Sequence, residues 1–331
     1  MKIDFDTDPR LWQINEWLTA ILPYSEFKLE VASSDASFRR YFRVYQHDHS
    51  RIVMDAPPEH EDIDAFVKIA EFLVSTGTHV PRIFAKNMEQ GFLLLSDLGN
   101  TSYLSALNAL SADELYHAAI DEIIKMQLAP INDMELPAYD AEKLLTEMRL
   151  FPDWFLGKHL SLSPPPELES VFELLINNAS VQPQYFVHRD YHSRNLMLGA
   201  DNEVGVIDFQ DAVIGPTTYD LVSLLRDCYI EWPQSRLDKW LDYYFDQARE
   251  KRLLAGTEKS GFVRWFDLMG LQRHLKVLGI FCRLNYRDGK AAYMNDLPLT
   301  LKYVLQVTGR YPELAHLHHF LTHSPEIMAI K

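Results

Sequence analysis

Val187-His188-Arg189-Asp190-Tyr191-His192-Ser193-Arg194-Asn195, followed after a short interval by Val206-Ile207-Asp208-Phe209, decides how this chain is read. Asp190 and Asn195 stand five positions apart, and Asp208, flanked by apolar residues, comes thirteen after Asn195. Leu196-Met197-Leu198 and Val204 to Ile207 have the character of two short strands, so a hairpin is expected to bring Asn195 and Asp208 close. Transfer of a nucleotide's terminal phosphoryl group needs an acceptor hydroxyl placed in line, a group to take its proton, and a divalent cation on the phosphate oxygens. Asp190 is the candidate base. Asn195, through its carbonyl oxygen, and Asp208, through its carboxylate, are candidate Mg²⁺ ligands. Singly, each has an ordinary reading as a turn residue or a local backbone bond. Jointly, their spacing points to an ATP-dependent kinase.

Upstream of this stretch, Asp8-Pro9 is a helix start, with Leu11, Trp12, Trp17, Leu18 and Leu22 at helical intervals and Pro23 as the stop. Phe27 to Ala32, Arg40 to Tyr45 and Ile52 to Asp55 read as strands. A helix from Glu61 to Val74 and two more strands, Val80 to Ala85 and Phe92 to Ser96, complete a strand-rich half. The turn formers Asp97-Leu98-Gly99-Asn100 mark the boundary, giving lobes of residues 1–97 and 98–331. Beyond it, Ser111 to Leu128, Ala141 to His159, Glu167 to Ala179 and most of the chain after Tyr219 carry helical periodicity. The expected class is α+β, with an antiparallel-sheet N-lobe and a mainly helical C-lobe.

Composition narrows the partners. The 331 residues are 47% hydrophobic and 24% charged, enough for two apolar cores. Lys plus Arg number 32 against 47 Asp plus Glu, a net charge of −15 that repels phosphate backbones and anionic bilayers. The expected partner is a small molecule, with no nucleic acid, no membrane and no obligate protein. Two cysteines, Cys228 and Cys282, and the lack of an apolar leader or span fit a cytoplasmic location. His188 and His192 have the i, i+4 spacing of a zinc pair, but Arg189 stands in place of the glutamate such hydrolase motifs require.

The segment from His188 to Asn195 resembles the H-x-D-x-H-x-x-N motif of aminoglycoside phosphotransferases and choline kinases, small-molecule relatives of protein kinases. Within that superfamily, Asp35-Ala36-Ser37-Phe38-Arg39-Arg40-Tyr41-Phe42-Arg43, Val53-Met54-Asp55-Ala56-Pro57-Pro58, Phe151-Pro152-Asp153-Trp154 and Gln272-Arg273-His274 look like one bacterial branch. That branch phosphorylates the anomeric hydroxyl of N-acetylmuramate and N-acetylglucosamine in cell-wall recycling. The resemblance runs from about Trp12 to Leu314 and implies a protein-kinase-like two-lobed fold.

It also implies roles, position by position. Asp190 would be the catalytic base, and Asn195 and Asp208 the metal ligands. Ser33 to Arg40 would cover the nucleotide phosphates through Ser34, Ser37, Arg39 and Arg40, and Leu95 to Leu98, including Asp97, would bind adenine. Asp220 would brace the catalytic loop by accepting backbone hydrogen bonds. From residue chemistry and not from the resemblance, Trp154 beside Asp153 is a candidate for the sugar ring, and Arg194, Arg273, His274 and Arg287 are candidate cations for the lactyl carboxylate of N-acetylmuramate, an anion that an acidic protein must meet locally. Two features depart from the pattern. Met54 stands where the superfamily has a phosphate-binding lysine, and the loop Ser33-Ser34-Asp35-Ala36-Ser37 lacks glycine, so Arg39, Arg40 or Arg43 would have to supply the charge. A kinase of aminoglycosides or amino alcohols and a nucleotide-binding pseudokinase acting as a regulator are the alternatives.

Overall fold

Asp8 caps the first helix as its place before Pro9 predicts. Its carboxylate accepts from the backbone N–H of Arg10 (3.1 Å) and Leu11 (3.3 Å), while Pro9 sits where a missing N–H costs nothing. This computed structural model describes residues 8–23, 26–34, 38–47, 49–131, 134–199 and 202–330. Helix α1 (Pro9–Ile21) lays Leu11, Ile14 and Leu18 against Phe42, Val44, Val53, Phe92 and Leu94. Phe42 and Val44 alternate along β2 (Arg40–Gln46) and Phe92 and Leu94 along β5 (Phe92–Ser96), with Val53 from β3 (His49–Asp55), so that the residues facing the helix come from one side of the pleat. With β1 (Lys28–Ser34) and β4 (Ile83–Asn87) these strands form a five-stranded antiparallel sheet in the order β1-β2-β3-β5-β4. Helix α2 (Ile63–Ser75) connects β3 to β4. Gly91, at φ +73°, admits a close approach of β5 to Ala56, whose N–H donates to Gly91 O at 2.9 Å. A Cβ there would stand 1.9 Å from Ala56 O.

The first compact unit comprises Met1–Thr101 together with Met197–Asp211. That second piece carries the end of β7 (Leu196–Leu198) and all of β8 (Val204–Val206), which pair with each other. It is tied to the rest of its unit by Leu198 N–H to Thr101 O and Val206 N–H to His79 O, both 2.8 Å. Phe209 is fully buried and packs on Phe66 of α2, ring centroids 4.8 Å apart.

The second unit comprises Ser102–Leu196 and Ala212–Lys331. Its helices are α3 (Tyr103–Ala106), α4 (Ala112–Gln127), α5 (Ala141–Met148), α6 (Leu168–Ser180), α7 (Tyr219–Leu225), α8 (Gln234–Glu250), α9 (Lys259–Asp288), α10 (Leu297–Thr308), α11 (Ala315–His323) and α12 (Pro325–Met328). The expected single helix over Ala141 to His159 is instead α5 followed by a π-helical stretch, Phe151–His159. Pro152 supplies no N–H to a continuous α-helical ladder, which accounts for the change. A strand absent from the sequence reading, β9 (Val213–Pro216), pairs antiparallel with β6 (Gln184–Val187). Helix α9 is buried on most of its circumference between Phe266 and Gly279, polar Asp267, Gln272, Arg273, His274 and Lys276 included. Gly279 lets it touch the chain at Leu150, where a Cβ would lie 2.3 Å from the Leu150 carbonyl. Among the described residues no helix is long and apolar enough to cross a membrane.

Candidate active site

In the helical unit the loop after β6 is held from beneath by two carboxylates. Asp220, in the first turn of α7, accepts the backbone N–H of His188 (2.7 Å) and of Arg189 (3.0 Å). Burial raises its pKa, against the opposing effect of His188 and those two hydrogen bonds. Asp227 accepts from both the backbone N–H (2.9 Å) and the hydroxyl (2.5 Å) of Ser193. Within the loop, His188 Nδ1 accepts the Asp190 N–H (3.2 Å) and Asn195 Nδ2 donates to Asp190 O (3.0 Å), which fixes the Asn195 carboxamide relative to Asp190. Tyr191, wholly buried, anchors the loop through its hydroxyl to Ala119 O at 3.0 Å. Arg189 adopts φ +78°, a left-handed conformation that a non-glycine residue keeps only when its surroundings enforce it.

The charge around Asp190 comes from α5, α9 and its own loop. Burial works to raise its pKa, but Lys276, Arg273, His192 and Arg189 outweigh it and bring the group to about 2. Asp190 is therefore a carboxylate wherever the protein is folded near neutrality. Glu147 of α5 organises the cations: it pairs with Arg189 and, at 3.0 Å, with Lys276, and accepts from the Tyr139 hydroxyl. Lys276 also donates to the Tyr219 hydroxyl at 3.2 Å, and the Arg273 guanidinium lies 5.7 Å from the Tyr219 ring centroid. Glu147 and Lys276 escaped the sequence reading. Glu147 lies 42 residues from Arg189, and Lys276 has the spacing of any apolar-face neighbour, so neither carries a local signal.

In the sheet unit, Asp208 follows β8 by two residues and sits at φ +65°, with Gln210 Nε2 donating to its carboxylate at 2.8 Å. The burial of Phe209 on α2 sets the direction of the chain at this point. Arg39 Nε donates to Glu61 at 2.9 Å and interacts electrostatically with Asp208. Arg40 is spanned between Asp8 and fully buried Asp55, donating to Asp55 at 2.9 and 2.5 Å. Arg43 makes a bidentate pair with Asp97 (2.6 and 3.0 Å) and reaches Asn100 and Gly99 O. Met54 is buried in the core. Ser34 ends β1, opposite Arg40, while Ser37 lies outside the described residues. Leu95 is paired through its backbone in β5, and Leu98 leans over Gly205 of β8, where a Cβ would meet it at 3.0 Å.

The remaining acceptor candidates differ in setting. His274 is fully buried, bonds through Nε2 to Arg226 O (2.9 Å) and stacks on Tyr303; burial lowers its pKa to about 3, so it is neutral and offers no cation. Arg194 is exposed, lies 3.5 Å from the Tyr229 ring centroid and is 3.7 Å from Asp296. Asp153 and Trp154 stand in the first turn of the π-helix, exposed and half-buried respectively.

The model of the phosphotransferase enzyme family matches residues 28–255, a span that includes both Arg39 and the whole of the loop from His188 to Asn195. The chain belongs to this family. A relative of the phosphotransferase in Pseudomonas aeruginosa, named N-acetylmuramate/N-acetylglucosamine kinase, is 45% identical, over 96% of this chain and 98% of its own. One of the same name in Pseudomonas putida is 46% identical, over 94% and 95%. Among solved structures, an ethanolamine kinase of Plasmodium vivax has a TM-score of 0.68 at 9% identity, covering 88% of this chain and 87% of its own. A choline kinase of Streptococcus pneumoniae reaches 0.63 at 11% identity, over 90% and 100%. These two likenesses show the fold, the protein-kinase-like α+β arrangement of an antiparallel sheet followed by helices.

Proposed function

We propose that this phosphotransferase is a cytoplasmic kinase that moves the γ-phosphoryl group of ATP to the anomeric hydroxyl of N-acetylmuramate or N-acetylglucosamine, giving the sugar 1-phosphate. The observation that carries the reading is Asp190: a loop carboxylate braced through Asp220 and kept ionised by Lys276 and Arg273. An anomeric hydroxyl is more acidic than other sugar hydroxyls. A base held at about 2 therefore serves to orient it and to accept its proton late, and no strongly basic group is required. The oxygen of the acceptor attacks the γ-phosphorus, the bond to the β-phosphate oxygen breaks, ADP leaves, and the hydroxyl proton passes to an Asp190 oxygen.

Asn195 and Asp208 offer a neutral and an anionic oxygen, the donor type Mg²⁺ prefers, and Mg²⁺ asks for only one or two protein ligands beside phosphates and water. We assign them as the residues that would hold the ion, which would supply neutralisation of charge on the phosphate oxygens. Arg39 is the arginine we assign to the phosphates, because it is held by Glu61 and interacts electrostatically with Asp208, the proposed metal ligand, whereas Arg40 and Arg43 are bound to Asp8, Asp55 and Asp97. Leu95 to Leu98 would receive adenine, Leu98 with its side chain and the others through backbone groups. The sugar assignment is supported by the names of relatives at 45% and 46% identity over nearly the full length of both chains.

Phosphorus NMR of the product formed from ATP, Mg²⁺ and N-acetylmuramate tests the proposal, with an α-1-phosphate as the expected signal. Phosphorylation of an aminoglycoside or amino alcohol with both amino sugars left untouched would overturn it. Nucleotide binding without turnover on any hydroxyl would instead favour a regulatory pseudokinase.

A further inference from the structure

Positions 273, 276, 280, 283 and 287 share one face of α9, because steps of three and four residues keep returning to the same side of a 3.6-residue helix. In this chain they are Arg273, Lys276, Ile280, Arg283 and Arg287. Burial falls away along the row. Arg273 and Lys276 are buried, Ile280 and Arg283 half-buried, and Arg287 exposed. The buried end acts electrostatically on Asp190, so the row leads from the proposed proton acceptor out to solvent.

The cations on this face differ in what satisfies them. Lys276 pairs with Glu147, and Arg287 with the neighbouring Asp288 at 2.8 and 2.9 Å. Arg273 lies against the Tyr219 ring and is buried, its Nε also without an acceptor, which leaves Arg283 as the cation of this row that solvent can reach without a carboxylate. Arg283 makes no hydrogen bond or ion pair among the described residues, and its buried Nε lacks an acceptor. Burial and the nearby Arg287 both lower its pKa from the ordinary arginine value, with Asp288 and Glu147 only partly offsetting them, while the guanidinium stays charged. In a chain with 47 carboxylate side chains, a half-buried guanidinium without a carboxylate is a destabilising choice unless an anion arrives from outside.

We infer that Arg283 is the specificity residue for the acceptor: its guanidinium receives the carboxylate of an acidic amino sugar whose hydroxyl is presented to Asp190. This rests on the amino-sugar kinase reading and deepens it. N-acetylmuramate carries a lactyl carboxylate on the ring and N-acetylglucosamine does not, so Arg283 serves the first sugar alone. Seven residues of helix separate Lys276 from Arg283, about 10 Å along the axis. A sugar ring, its lactyl arm and a flexible arginine side chain together bridge that span. The planar fork of arginine suits two parallel hydrogen bonds to a carboxylate, which lysine does not provide. Ile280, between the two cations, offers an apolar patch to a sugar face.

Initial rates on both sugars test the assignment. Arg283→Gln should lower the ratio of kcat/KM for N-acetylmuramate over N-acetylglucosamine about tenfold or more, the scale of a charge-assisted hydrogen-bonded pair. Arg283→Lys should recover part of that ratio. With the unmodified protein, converting the lactyl carboxylate to its amide should raise KM by a similar factor, a comparison that decides even if the substitution unsettles α9. An unchanged ratio in a folded Arg283→Gln protein, or equal use of the acid and its amide by the unmodified protein, overturns the role of Arg283 alone. Failure of the unmodified protein to phosphorylate either sugar overturns the underlying reading instead.

Discussion

Arg39 Nε and the Glu61 carboxylate meet at 2.9 Å, with each side chain little more than a tenth exposed. Protein kinases pair a strand-three lysine with a helix glutamate to set the position of the nucleotide phosphates. Met54 fills the strand position here, and Arg39 just before β2 pairs with Glu61 just before the Asp62 cap of α2, the pair proposed above to serve the phosphates. Arg39→Met should therefore raise the KM for ATP and lower kcat/KM about a hundredfold, the scale of losing one preorganised charge at a phosphoryl group. Arg40→Met should act on stability, by about 1–2 kcal/mol, since Arg40 is a third exposed and Arg10 still covers Asp55. ATP titrations and denaturant melts of the two variants separate these outcomes.

Asp190→Asn should keep the fold and reduce kcat by about a thousandfold, within the usual range for removing a general base. The acid side of the pH–rate profile carries a second expectation. With its pKa lowered to about 2, Asp190 stays ionised on the alkaline side of that value. Its contribution to stability is complete above the ordinary carboxylate value of 3.8 and is lost as pH falls through about 2. A pH series of kcat/KM should show no inflection from this group between about pH 5 and 8. An inflection there that disappears in Asp190→Asn would contradict the assignment.

Removing Asp220 strands two backbone donors at once. Asp220→Ala leaves the N–H groups of His188 and Arg189 without their 2.7 and 3.0 Å acceptors in a buried setting. Each bond to a charged acceptor is worth about 1.5–3 kcal/mol, so the variant should lose on the order of 3 kcal/mol and lower kcat beyond what the loss of folded protein explains. Active-site titration beside calorimetry distinguishes the two effects.

His274 makes stability depend on pH. Burial holds its pKa at about 3, against an ordinary 6.5, so the folded protein keeps it neutral while the unfolded chain takes up a proton as pH drops. The unfolded state binds more protons, and stability falls as pH decreases from 6.5 towards 3. Between about pH 6.5 and 5 the loss from this group should approach 2 kcal/mol. His274→Gln, which can still donate to Arg226 O, should flatten that part of the curve in chemical denaturation at several pH values.

The parts of the molecule legible in the sequence are those written locally. The Asp8-Pro9 cap, the alternation of Phe42 and Val44, and the strand at Phe92–Ser96 each depend on neighbours a few residues away, and each is found. Pro152 lies inside a helical pattern that remained readable as one helix, because periodicity does not separate an α-helix from a π-turn that keeps the same apolar residues buried. Val213–Pro216 is too short to stand out and exists as a strand through its partner β6. At the site, the bracing role of Asp220 followed from resemblance, whereas Glu147 owes its place to Arg189 and Lys276, which come from two other parts of the chain. His274 shows the converse: a residue type that suggests a ligand, settled as neutral core by Arg226 and Tyr303.

Because Met197–Asp211 completes the unit begun by Met1–Thr101, a gene cut after codon 101 yields a fragment without Gly205 beneath Leu98 and without Phe209 beside Phe66. Such a fragment exposes apolar surface and should aggregate. Two-plasmid complementation at that junction is correspondingly a poor route to dissecting this enzyme. A better insertion point for a tag is a surface turn that leaves all three chain crossings intact.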